Sequence, residues 1–153
     1  MWVAAMLVDA VIKEKRFAGL VPIPSGVGPV DIFVYDSAHN RCILIEAKDL
    51  VPRIIAKDMK EQRDQFLESS GRGQDSFLFK LKKQVAWFRG HIVDLQEELG
   101  IPPDGGLSVE GVIVVGHTMM WPYFYFEPLP VLDEATFLER LRTGRSFLSD
   151  AAR

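Results

Sequence analysis

Apolar and polar positions alternate along this chain with two different periods, and each change of period marks an element. Val30-Asp31-Ile32-Phe33-Val34-Tyr35 and Arg41-Cys42-Ile43-Leu44-Ile45-Glu46-Ala47-Lys48 are two runs rich in β-branched and aromatic residues. Small polar residues, Ser37 to Asn40, separate them, which predicts an antiparallel hairpin. From about Ser76 the period becomes helical: Leu78, Leu81, Val85, Phe88, Ile92, Leu95 and Leu99 recur at alternating steps of three and four. That stripe predicts one long amphipathic helix, stopped by Gly100-Ile101-Pro102-Pro103. A more polar helix is expected over roughly Ala56 to Ser69, after the break at Pro52, with Ser70-Gly71-Arg72-Gly73 as a loop. Glu110 to Gly116 reads as a buried strand and Leu129 to Leu132 as a last one. Asp133 is placed to cap a closing helix that runs to about Arg142. Ahead of the hairpin, Val3 to Arg16 suits a helix. Val21 to Gly28, holding Pro22 and Pro24, suits a loop or edge strand.

Composition narrows the class. The 153 residues suit one domain, 1–153, large enough for a real core. An apolar share of 48% with 25% charged residues is that of an ordinary soluble globular chain. The single cysteine, Cys42, excludes an internal disulfide and reads as a small core residue in a reducing compartment. Met1 to Val8 is apolar but lacks a basic flank, is interrupted at Asp9 and is too short to span a bilayer. The expectation is a cytoplasmic protein with no membrane partner. The net charge of −3 argues against a generally adhesive nucleic-acid binder, but the charge is unevenly spread. Residues 53–91 carry nine basic and five acidic side chains, whereas residues 92–153 carry four and ten. The basic excess thus follows the hairpin directly, either as a phosphate-facing surface or as a solvated helix face.

The candidate chemistry lies at the hairpin's open end. If Asp36 pairs with Arg41, Asp31 falls opposite Glu46, and residues so placed share a face with β-carbons roughly 4.5–5.5 Å apart. Lys48, two residues beyond Glu46, points to that same face. Two carboxylates and an ammonium then converge where an apolar strand should carry no uncompensated charge. The plainer reading is a hairpin end in solvent, with surface ion pairs of about 0–1 kcal/mol. Other chemistries find little support: His39, His91 and His117 have no zinc spacing, and no nucleophile elbow, P-loop or dinucleotide fingerprint is present.

Pro29-x-Asp31, fourteen intervening residues and then Glu46-Ala47-Lys48 resembles the PD-(D/E)xK nuclease superfamily, with Pro29-Val30-Asp31 standing where the family has a contiguous Pro-Asp. The resemblance implies a restriction-endonuclease-like fold: α/β, with a mixed four- or five-stranded sheet flanked by helices in the order α-β-β-β-α-β. It implies a metal-dependent nuclease acting on DNA, RNA not being excluded. Asp31, Glu46 and the backbone carbonyl of Ala47 would bind Mg²⁺ or Mn²⁺, and Lys48 would position or activate the attacking water. Gln84, in Gln84-Val85-Ala86-Trp87-Phe88, is similar to a glutamine that some members aim at the metal from the following helix. Its other reading is a surface amide on a charged helix. Lys80 lies on the same ridge, and Asp9 or Glu14 resembles an accessory acid. The alternative function is a catalytically silent domain of this fold that binds nucleic acid or protein. The aromatic run Trp121 to Phe126 reads as core-covering strand, as a homodimer interface or as a base-stacking platform, and a nuclease of this size is expected to work as a homodimer or within a larger nuclease complex.

Overall fold

The hairpin forms in the expected register. In the computed structural model, which describes residues 24–50, 55–68, 75–117 and 129–148, β1 (Ile32–Asp36) pairs antiparallel with β2 (Arg41–Lys48), Asp36 lying opposite Arg41 and Ile32 opposite Ile45. Asn40 closes the turn with a φ of 50°, a left-handed conformation that asparagine tolerates. Helices α1 (Ala56–Leu67), α2 (Phe77–Gly90) and α3 (Ile92–Leu99) follow, then β3 (Ser108–Val115), β4 (Val131–Asp133) and α4 (Glu134–Thr143). β3 runs parallel to β2 and β4 parallel to β3, giving a mixed four-stranded sheet in the order β1-β2-β3-β4.

Side-chain alternation sorts the sheet residues onto two faces. Phe33, Cys42, Leu44, Val109, Ile113 and Val115 pack against Phe66 of α1, Leu78, Leu81 and Phe88 of α2, and Leu95 of α3. Val34, Ile43, Ile45, Val112, Val114 and Leu132 face the other way, onto Phe137 of α4 and Phe147. The result is a three-layer α/β arrangement. β2 is buried on both sides from Arg41 to Glu46, as suits a strand with neighbours on both edges and helices on both faces. Each fully buried Leu or Ile there contributes about 1.5–3 kcal/mol.

Asp133 caps α4 as the sequence predicts, and Ser76, where the helical period begins, caps α2. Ser76 accepts from the Phe79 amide at 3.2 Å, and Asp133 accepts from the Thr136 amide at 2.9 Å. The long amphipathic helix, however, is two helices. At His91 (φ −115°, ψ 29°) the ring Nδ1 meets the Trp87 carbonyl at 2.8 Å, and the His91 amide donates to Phe88 instead. The imidazole takes the acceptor a continuous helix would offer to the His91 backbone, and the chain bends just past Gly90. The apolar stripe survives the bend because α3 still turns Leu95 inward.

Residues 24–31 are turn and irregular chain rather than strand, so two strands precede the helices among the described residues. The expected first helix, Asp9, Glu14, the loop at Ser70 to Gly73 and the aromatic run Trp121 to Phe126 lie outside the described residues. No helix of the described residues is long and apolar enough to cross a membrane.

Candidate functional site

The site grows from the sheet face that looks toward α2. β2 stays apolar until Glu46, whose side chain points to the helical layer and is only 4% exposed. A lone carboxylate at that depth costs several kcal/mol unless it is paired. Two ammonium groups pair it. Lys48 Nζ lies 2.6 Å from Glu46 Oε1, and Lys80 Nζ reaches across from α2 to both oxygens at 3.2 Å. Lys48 also sits over the Phe77 ring, 4.5 Å from its centroid, so the first turn of α2 holds the lysine from the far side.

Asp31 stands one residue before β1, across from Glu46. Its Oδ2 accepts from the Ala47 amide at 3.3 Å, beside the Glu46 carboxylate. The two carboxylates therefore titrate unequally. Burial and the neighbouring Glu46 charge push Asp31 above its usual range, against the pull of Lys48 and Lys80. Burial works in the same direction on Glu46, but the Lys48 hydrogen bond and the charges of both lysines prevail and lower it. Asp31, the more exposed partner, is thus the weaker acid of the two and Glu46 the stronger.

Backbone geometry adds a third oxygen. Within a strand the N–H and C=O of one residue face the same neighbour. Lys48 O accepts from Gly116 beside β3, whereas the Ala47 amide turns to Asp31. The Ala47 carbonyl thus faces the Asp31 side, beyond the end of β1.

Gln84 takes a different position from the one expected of a residue aimed at a metal. It is buried to 1% exposure, and its amide donates to the Pro29 carbonyl at 2.6 Å. It holds the loop that delivers Asp31, two residues upstream of the carboxylate. One helical turn earlier, Lys80 runs past Gly28, where a β-carbon would stand 3.6 Å from the lysine Cε. Gly28 has a φ of 80°, which favours glycine and lets the loop pass over the lysine stem.

The structure therefore brings Asp31, Glu46, Ala47 and Lys48 together, adds Lys80, and makes Gln84 a support. The sequence signal for Lys80 was its place one turn before Gln84 on the same ridge; its reach to Glu46 depends on packing. Among the described residues no cluster of three or more His, Cys, Asp or Glu side chains could hold a metal. His39 instead pairs with Asp36 at 2.8 Å at the opposite end of the hairpin, and His91 shapes the bend. A cleft of about 600 Å³ opens along β3, bordered by Leu81, Val85, Arg89, Gly111 and Phe147, and shares no lining residue with the carboxylate site.

Set against known protein families, curated proteins and solved structures, the chain matches none of them.

Proposed function

We propose that this protein is a metal-dependent nuclease of the PD-(D/E)xK type, with a restriction-endonuclease-like fold and DNA as substrate. The observation that carries the reading is the placement of Asp31 across from Glu46 at the end of an apolar hairpin, with Asp31 on the Ala47 amide and Lys48 on the Glu46 carboxylate. The donor set suits Mg²⁺ or Mn²⁺. Asp31, Glu46 and the Ala47 carbonyl are all hard oxygens, and Mg²⁺ needs only one or two carboxylates because water and substrate phosphate complete its shell. A cation there supplies charge neutralisation and polarisation for the phosphodiester.

The chain's own groups supply the rest. Hydrolysis forms a bond from a water oxygen to phosphorus and breaks an ester bond, and negative charge builds on the phosphoryl oxygens. Lys48, held by Glu46 and Phe77, places a fixed positive charge at the mouth of the site. Asp31 opens to solvent, so the phosphate approaches from the Asp31 and Ala47 side. Gln84 acts as a positioning residue through Pro29. The basic run of residues 53–91 contributes Lys80 to the site itself.

One observation favours a second reading, a silent binding module: Glu46 is already neutralised by two lysines, so the pair is balanced without a metal. Cleavage of labelled single- and double-stranded DNA and RNA with Mg²⁺ or Mn²⁺ separates the two. The nuclease reading expects metal-dependent cutting that Asp31→Ala and Lys48→Ala each abolish. Cutting that survives both substitutions would move the active site elsewhere. No cutting and no calorimetric Mn²⁺ signal would leave the silent module.

A further inference from the structure

Lys80 raises a question that the nuclease reading leaves open. Any cation entering the site must share Glu46 with two ammonium groups. The two are held very differently. Lys48 makes the shorter contact, 2.6 Å to one oxygen, and is pinned over the Phe77 ring. Lys80 straddles both oxygens at 3.2 Å from the end of a flexible four-carbon stem, and its side chain is 28% exposed. It occupies the bidentate face of the carboxylate, where a small divalent cation would bind. Its stem passes Gly28, where even a β-carbon would stand at ordinary van der Waals distance, 3.6 Å from the lysine Cε.

We infer that Lys80 is an exchangeable counter-ion: it neutralises Glu46 in the metal-free protein, gives way to a divalent cation, and then offers its ammonium to a phosphate oxygen of the nucleic acid. The inference rests on the metal-site reading above. Its driving force is charge balance. Asp31 and Glu46 face Lys48 and Lys80, and adding a dication to that set leaves a surplus of positive charge that a phosphodiester absorbs. Removing the Lys80 charge takes away repulsion at close range, which should tighten cation binding at least about tenfold. Removing it should also weaken nucleic-acid binding by one phosphate contact, lowering the slope of log affinity against log salt by about one.

The experiment is calorimetric titration of Mn²⁺ into wild type, Lys80→Met, Lys48→Met and Glu46→Gln. It is paired with anisotropy of a labelled DNA duplex in Ca²⁺ over a range of salt. Tighter Mn²⁺ binding by Lys80→Met, with binding lost in Glu46→Gln, supports the exchange. Binding by Lys80→Met alone, when wild type shows none, overturns the exchange, because Lys80 then blocks the cation instead of giving way to it. Equal or weaker binding by Lys80→Met, with wild type still binding, overturns the exchange and leaves the metal site standing. No binding by either protein overturns both. An unchanged salt slope overturns the phosphate contact. Thermal melts, with Lys80→Gln as a second variant, show that the fold is kept.

Discussion

At the scale of single residues, much of this fold hangs on Arg41, a charged residue that is 2% exposed. Its Nε donates to Asp36 at 2.9 Å, and its Nη atoms donate to the carbonyls of Arg145, Arg140 and Leu141. The last two are carbonyls that the end of α4 leaves without helical partners, so a strand residue caps a helix some hundred residues away. Asp36→Ala leaves the guanidinium its three carbonyls and the Glu110 carboxylate at 3.6 Å but orphans Nε, and should cost about 1–3 kcal/mol, read from urea denaturation. The Asp36 carboxylate also sets a pH dependence. Burial tends to raise Asp36, but the hydrogen bonds and charges of His39 and Arg41 lower it below its ordinary value of 3.8. The unfolded chain then binds the proton more readily, so stability rises with pH in this window. The contribution is complete above the ordinary aspartate value and disappears as pH falls through the lowered native one. Wild type should therefore lose its advantage over Asp36→Asn on acidification, and parallel curves would contradict this. Cys42 offers a simpler check. Burial pushes its thiol up to about 12, so an aromatic disulfide reagent at pH 8 should label it only as the protein unfolds.

At the scale of elements, α2 decides whether a site exists. Its height above the sheet is set at Gly111 of β3, where a β-carbon would stand 2.6 Å from Val85 Cγ2 and 3.0 Å from Leu81 Cδ1. Leu81 and Val85 immediately follow Lys80 and Gln84, so the close approach that seats the leucine and valine also brings the lysine to Glu46 and the glutamine to Pro29. Gly111→Ala should cost about 1–3 kcal/mol through overpacking. It should also weaken Mn²⁺ binding on the proposed reading, although Gly111 touches none of the site residues. Stability loss with unaltered Mn²⁺ affinity would show that α2 is not what places the site. Most of α2's course was legible from its hydrophobic period. The bend at His91 was not, because a leucine stripe of spacing three and four continues through it. An imidazole that competes for the Trp87 carbonyl leaves no mark on that spacing.

At the scale of the whole molecule, the site sits where three structural decisions meet: the hairpin register, the sheet face and the packing of α2. It also holds free energy against the fold. Asp31 is raised by burial and by the Glu46 charge, so ionising it at neutral pH opposes folding. Asp31→Asn should raise the urea midpoint at pH 7 and, on the proposed reading, abolish cation binding, the trade expected where function opposes stability. A lower midpoint would mean that the Asp31 contact with Ala47 outweighs the repulsion.

The hairpin, its register and the shared face of Asp31, Glu46 and Lys48 were determined by the sequence itself, because strand alternation and turn length are local properties of the chain. The cap at Asp133 was legible for the same reason. Tertiary structure alone decided that Lys80 would lie on Glu46, that Gln84 would hold Pro29 rather than face the site, and that Arg41 would close α4. Those contacts join residues far apart in sequence, and their distances depend on how closely a helix can approach a sheet. A hydrophobic period says which way a side chain points but not how near its partner stands, and for buried charges that distance determines whether they are compensated.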